Sequence, residues 1–248
     1  MGLIYGINPV KEAIISGKTI NKLYGSKGSK DVYELLKLAK TKGIVTVEAD
    51  KVKLDKMIST DDNKQKNSQG IVASVTDYEY FEIEDILEYA ASKGEKPFVV
   101  ILDKIEDPHN LGAIIRSAEC MGVHGIIIQK RNACQITDIV EKTAAGAVNY
   151  MRVARVTNIT RAIEELKKAG LWIYGLDMEG ATTIYDTDLT GSIGIVVGNE
   201  GEGLSRLVRE TGDGIIKIPM VGKTESLNAS VSTAITIYEV AKQNNNKT

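Results

Sequence analysis

The sequence predicts an α/β protein in two parts, a small α/β domain over residues 1–76 and a larger parallel-sheet domain over residues 97–248, joined by an acidic helix at 77–96. Three observations carry this reading. From Pro97 onward, apolar runs that each lead into a turn and a helical pattern recur five times (FVVIL, GIIIQ, LWIYGL, IGIVVG, IIKIPM), as expected of parallel strands covered on both faces. Before residue 76, shorter strand and helix signals alternate. The charge also changes sign between the two parts: residues 1–76 hold 13 lysines against 8 acidic residues, and residues 77–95 hold one lysine against 7.

Taken in order, Asn8 and Pro9 followed by Val10, Ala13, Ile14 and Gly17 read as N-cap, first-turn proline, apolar stripe and terminating glycine, hence a short helix. A strand at 20–24, a helix at 32–42 stopped by Gly43, a strand at 44–47 and a helix at 52–58 follow by the same signals. Residues 59–70 (STDDNKQKNSQG) are polar and aperiodic, so an exposed, mobile loop is expected there before a strand at 71–75. The acidic stretch carries Ile83, Ile86, Leu87 and Ala90 at helical spacing and reads as a linker helix that contains the domain boundary. At the other end, residues 243–248 are expected to fray.

Composition narrows the function classes. The 248 residues are 43% hydrophobic and 26% charged, with net charge -2, ordinary for a globular protein with a buried core. The longest aliphatic runs, such as Val99 to Leu102, fall far short of the roughly 18 residues that span a bilayer, so no membrane partner is expected. The first residues lack the basic start and apolar core of a signal peptide, and Gly6 stands where a myristoylation motif needs Ser or Thr, so a cytoplasmic location is expected. Cys120, Cys134, His109 and His124 match no metal-ligand spacing, so neither a metal nor a disulfide framework is expected. Every base before Arg116 is a lysine, a mobile point charge suited to loose phosphate tracking.

Three strand-to-helix segments carry polar residues. In DPHNLGAIIRSAECMGVHG, from Asp107, Asn110 can cap the helix and Leu111, Ile114, Ile115, Ala118 and Met121 share one face, with Arg116 nearly opposite. Arg116 is then either a solvated surface residue or, with Asn110, the flank of a cleft at the carboxyl ends of the strands, where open α/β sheets bind ligands. In GIVVGNEGEGLSRLVRE, from Gly194, the glycines are spaced GxxGxG rather than GxGxxG, and Glu200 and Glu202 would repel a pyrophosphate. Either the turn is only tight, or its glycines admit a close ligand whose charge suits carboxylates. In IKIPMVGKTESLNASVSTAITIYEVAK, a strand is expected to end at Pro219, a loop to carry Lys223, Glu225, Ser226 and Asn228, and a helix capped by Asn228 to bury Val231, Ala234, Ile235 and Tyr238.

The ordered set P-x-N-L-G-A-x-x-R-x-A (108–118), G-N-E-G-x-G-L (198–204) and I-P-M…S-L-N-A-S (218–230) resembles the three motifs of the SPOUT superfamily of SpoU/TrmH type, RNA ribose 2'-O-methyltransferases that use S-adenosylmethionine. The start GINPVKEAI and the segment SQGIVASV further resemble the small RNA-binding domain of the RlmB-like branch, whose target is a guanosine of 23S ribosomal RNA. The resemblance implies a parallel sheet with a C-terminal trefoil knot, a departure from the usual absence of knots, and a homodimer whose partner chain completes the site. By position it implies that Gly198, Ile218, Met220 and Leu227 contact S-adenosylmethionine, largely through backbone groups, and that Asn110, Arg116, Glu200, Ser226 and Asn228 line the reaction site, with no metal. Family accounts often make the arginine the base. A guanidinium with a pKa above 12 suits that role poorly, so Arg116 is read as an orienter of phosphate or 2'-oxygen. Three alternatives stand beside this reading. A transfer-RNA methyltransferase would share all three motifs. A nucleotide-dependent oxidoreductase would need a phosphate loop where this chain reads DPHNLGA, and a non-catalytic RNA-binding protein could dispense with the motif polar residues, all of which are present.

Overall fold

A computed structural model describes residues 2–16, 18–59, 67–75, 78–223 and 226–245, which form two compact units, residues 1–79 and 80–248. Gly17, Glu225, most of the polar loop at 59–70 and the last three residues of the expected frayed tail lie outside the described residues.

The first unit runs β1 (Gly2–Tyr5), α1 (Ile7–Ile15), β2 (Ile20–Gly25), α2 (Lys30–Thr41), β3 (Thr46–Glu48), α3 (Lys51–Ile58) and β4 (Ile71–Val75). Its sheet order is β1-β4-β2-β3, with β4 antiparallel to both neighbours and β2 parallel to β3. Because successive side chains on a strand alternate faces, Ile71, Ala73 and Val75 join Val10, Ile14, Val32 and Leu35 in one core, while Val72 packs with Leu54 and Ile58 on the other side. Two details depart from the sequence reading. β1 goes unread because it is only four residues long, and α1 starts at Ile7, so Asn8 lies inside the first turn and Gly6 takes the cap position.

The second unit runs α4 (Ile83–Ser92), β5 (Phe98–Leu102), α5 (Pro108–Cys120), β6 (Gly125–Gln129), α6 (Asp138–Thr143), β7 (Arg152–Val156), α7 (Ile159–Lys168), β8 (Trp172–Leu176), β9 (Thr182–Thr183), β10 (Ile193–Val197), α8 (Arg206–Thr211), β11 (Gly214–Lys217) and α9 (Ala229–Asn245). The strands form one parallel sheet in the order β7-β6-β5-β10-β8-β11-β9. On one face, α4 and α7 bury Ile83, Ile86, Ile163 and Leu166 against Val99, Ile101 and Ile173. The acidic segment expected as a linker is therefore, from Ile83 on, part of this unit's core. On the other face α5 packs against α6 and α9. Gly112 permits the α5–α6 approach, since a Cβ there would lie 2.6 Å from Thr143 Cβ.

Four expectations need correction here. β7 is a strand that the sequence pattern does not show, because Arg152 and Arg155 interrupt its apolar run; their guanidiniums lie over Tyr89 at 3.4 Å and Tyr80 at 3.8 Å. β11 ends at Lys217 rather than Pro219, which leaves Ile218 and Met220 in the following loop. α9 turns Val231 and Tyr238 outward, 46% and 55% exposed, and buries Thr233, Thr236, Ile237, Glu239 and Val240 instead. Its inward threonines are tolerated because each donates to its own helix backbone, Thr233 to Ala229 O at 2.6 Å and Thr236 to Ser232 O at 2.9 Å. Finally, Gln243 and Asn244 lie in α9 rather than a loose tail: Leu189 N donates to Gln243 Oε1 at 2.9 Å and Gly191 N to Asn244 Oδ1 at 3.0 Å.

Candidate active site

The central strand β10 runs straight into Gly198, and the turn that follows is closed on itself. Gly203 N donates to Asn199 O at 2.8 Å, and Gly201 N donates to Asn199 Oδ1 at 2.8 Å. The turn is also tied to the end of β5. Asn199 Nδ2 donates to Lys104 O at 3.0 Å, Lys104 Nζ reaches Glu202 at 3.0 Å, and the buried Asp103 accepts from Ser205 N at 3.0 Å. Lys104 adopts φ +60, a left-handed conformation that non-glycine residues rarely take, and its hydrogen bond to Glu202 raises its ammonium pKa above the ordinary value.

These ties aim Glu200 at two other segments. Its Oε1 accepts from Asn110 Nδ2 at 3.0 Å, Asn228 Nδ2 at 2.6 Å and Ala229 N at 3.1 Å, and Asn228 Nδ2 also reaches Asn110 Oδ1 at 2.9 Å. Asn228 Oδ1 at the same time caps α9 by accepting from Ser230 N at 2.9 Å. Asn110 is not the cap of α5; Asp107 is, accepting from His109 N at 2.9 Å, which frees the Asn110 amide for the constellation. Residues 90 and 118 positions apart in sequence thus meet on one carboxylate oxygen.

Beside them lies a cleft of about 410 Å³ at the carboxyl ends of β8, β10 and β11. Gly198, Ile218, Met220 and Leu227 all line it, together with Glu200 and Ser226. Asn110 and Asn228 are not in the lining but donate to Glu200, which is. Arg116 is not in the lining. It is exposed and, among the described residues, has no hydrogen bond or ion pair; on α5 it lies roughly 9 Å along the axis and about a third of a turn around from Asn110. Sequence reasoning missed Asp177, Glu179 and Arg209, which also line the cleft. Arg209 pairs with Asp177 and, at 3.2 Å, with Glu179. The available signal was an aspartate immediately after a strand, in LWIYGLD, at the edge where such sheets bind ligands.

Residues 97–238 match the model of the SpoU rRNA Methylase family. The chain belongs to that family. Residues 3–81 match a second model, described as RNA 2'-O ribose methyltransferase substrate binding. A Bacillus subtilis (strain 168) protein named as a TrmH family tRNA/rRNA methyltransferase is 40% identical over 98% of this chain and 96% of its own length. Among solved structures, the SpoU methyltransferase AviRb from Streptomyces viridochromogenes in complex with AdoMet is 26% identical with a TM-score of 0.60, over 97% of this chain and 89% of that one. A TrmH/SpoU tRNA modifying enzyme of A. aeolicus is 30% identical with a TM-score of 0.57, over 62% of this chain and 78% of that one. This SpoU member is an RNA methyltransferase with an α/β parallel-sheet unit and a smaller N-terminal unit. Among the described residues no helix is long and apolar enough to cross a membrane, and no three His, Cys, Asp or Glu side chains gather as a metal-ligand set.

Proposed function

We propose that the chain transfers the methyl group of S-adenosylmethionine to the ribose 2'-oxygen of a guanosine in 23S ribosomal RNA. The observation that carries this is the meeting of all three motif segments on Glu200, at the mouth of a cleft lined by the four residues the resemblance assigns to the cofactor. The cleft suits that group. Its volume lies in the usual range for small-molecule sites, its backbone is laid open at Gly198, and its carboxylates favour a cation. When bound, the cofactor supplies an already activated methyl group, so the protein's task is mainly to place the oxygen in line with it. Glu200 and Asn228 hold Asn110 toward the reacting atoms, Ser226 offers a hydroxyl at the rim, and Arg116 orients the phosphate or 2'-oxygen. The lysines of residues 1–76 track the RNA backbone.

A ribosomal target is favoured over a transfer-RNA target because the substrate-binding match spans residues 3–81, whereas the tRNA modifying enzyme of A. aeolicus aligns over only 62% of this chain. A homodimer belongs to the same reading, with the exposed Val231 and Tyr238 of α9 turned to a second copy and Arg116 completing the site across the pair. The trefoil knot and a cytoplasmic location belong to it as well. Mapping ribose methylation in RNA from cells with and without the protein tests the whole. A single 2'-O-methylguanosine lost from 23S RNA is expected; loss from transfer RNA instead would overturn the target.

A further inference from the structure

The charged groups lining the cleft do not cancel, and among the described residues one of the carboxylates has no cationic partner. Asp177, Glu179, Glu200 and Glu202 supply four carboxylates and Arg209 one guanidinium. Asp177 and Glu179 are both paired with Arg209, and Glu202 is paired with Lys104 at 3.0 Å. Glu200 differs from the other three. The donors on its Oε1 are the amides of Asn110 and Asn228 and the backbone N–H of Ala229, all neutral, and among the described residues it has no ion pair. Neutral donors orient a carboxylate without cancelling its charge. The Asn110–Asn228 hydrogen bond at 2.9 Å braces those donors, so the side chain is held at the cleft.

We propose that Glu200 determines the charge specificity of the cleft, making it prefer the methyl-bearing sulfonium cofactor to the neutral thioether left after transfer. This rests on the reading of the cleft as the S-adenosylmethionine site. In the reaction the methyl carbon leaves sulfur for the 2'-oxygen, the C–S electron pair stays on sulfur, and the hydroxyl proton passes to water. The carboxylate therefore faces a cation before transfer and a neutral atom afterwards, so the attraction ends when product forms and the spent cofactor exchanges for a fresh one. A charge pair a few ångströms apart in a half-open site is worth about tenfold in affinity.

Calorimetry on the full chain tests this with three probes: S-adenosylmethionine, S-adenosylhomocysteine, and sinefungin, which carries an ammonium in place of the methylsulfonium. Glu200→Gln should weaken the two cationic probes about tenfold and change S-adenosylhomocysteine less than about twofold. Equal loss on all three would mean that Glu200 only shapes the loop, and would overturn the inference while leaving the cofactor reading intact. The wild-type chain gives a second measurement that needs no variant. Between about 0.01 and 1 M salt the screening length falls from about 30 to 3 Å, so affinity for the cations relative to S-adenosylhomocysteine must fall. A ratio constant in salt overturns the inference. Failure of the wild type to bind any of the three overturns the cofactor reading and this inference together.

Discussion

Gly198→Ala is the sharpest test of how the turn after β10 is built. An ideal Cβ at position 198 overlaps the carbonyl group of Gly203 and lies 2.5 Å from Leu204 N, so the collision is with backbone that cannot rotate away. Carbon needs about 3.5 Å of separation, and one side of the turn must therefore yield by roughly 1 Å. Overpacking of this kind costs about 1–3 kcal/mol, which for a unit of this size lowers the melting midpoint by about 2–12 °C. The same displacement moves Glu200, and a shift near 1 Å in a positioned site costs about a hundredfold in rate. Gly201→Ala is the matched control in the same turn: its Cβ meets only Asn199 Oδ1, at 3.5 Å, and stability should change by less than about 0.5 kcal/mol. Calorimetric melting with S-adenosylmethionine titration reads both. If Gly198→Ala melts and binds like Gly201→Ala, the closed turn is not what shapes the cleft.

Arg116→Ala should leave the melting midpoint within about 2 °C, because an exposed side chain without partners among the described residues contributes little stability, yet nearly abolish methyl transfer in a radiolabel assay; normal turnover would return Arg116 to the solvated surface. Arg116→Lys should stay impaired at every pH if orientation by a planar fork is the role, whereas recovery as pH rises toward the lysine pKa would point to a base. A chain lacking residues 1–79 should keep cofactor binding but lose RNA affinity in low-salt filter binding, and the cut must spare Tyr80, whose hydroxyl accepts from Ile136 N at 2.8 Å. Tyr238→Asp should convert a dimer to a monomer in light scattering if α9 forms the interface, and an unchanged mass would place the interface elsewhere.

The parallel sheet was legible because four of its strands are uninterrupted apolar runs, and the parts that were not legible have physical causes. Arg152 and Arg155 disguise β7 because their charges are absorbed by the aromatic faces of Tyr89 and Tyr80, which no pattern along the chain displays. The inverted face of α9 follows from Thr233 and Thr236 satisfying themselves locally, so hydrophobic periodicity pointed to the wrong side. Asn110, Glu200 and Asn228 were each plausible alone as caps or surface groups. Only the family resemblance joined them, since spacing cannot show that positions so far apart share one oxygen. Asp177, Glu179 and Arg209 stayed hidden because they lie outside the three motifs.

The place of β10 in the sheet has a consequence for how the molecule is made. Both of its neighbours, β5 and β8, are synthesised before it, and its pairing of Ile193 with Phe98 spans most of the second unit. Until residues 193–197 leave the ribosome, β5 lacks one neighbour and β8, whose other partner β11 is made later still, lacks both, so a nascent chain stopped short of them holds unpaired apolar edges, the usual templates for aggregation. Closure of the sheet is therefore a late, long-range event, of the kind that makes folding slow. The turn bearing Glu200 follows that strand directly, so the site forms only after the sheet has closed, and partial translation products carry no weakened version of the activity.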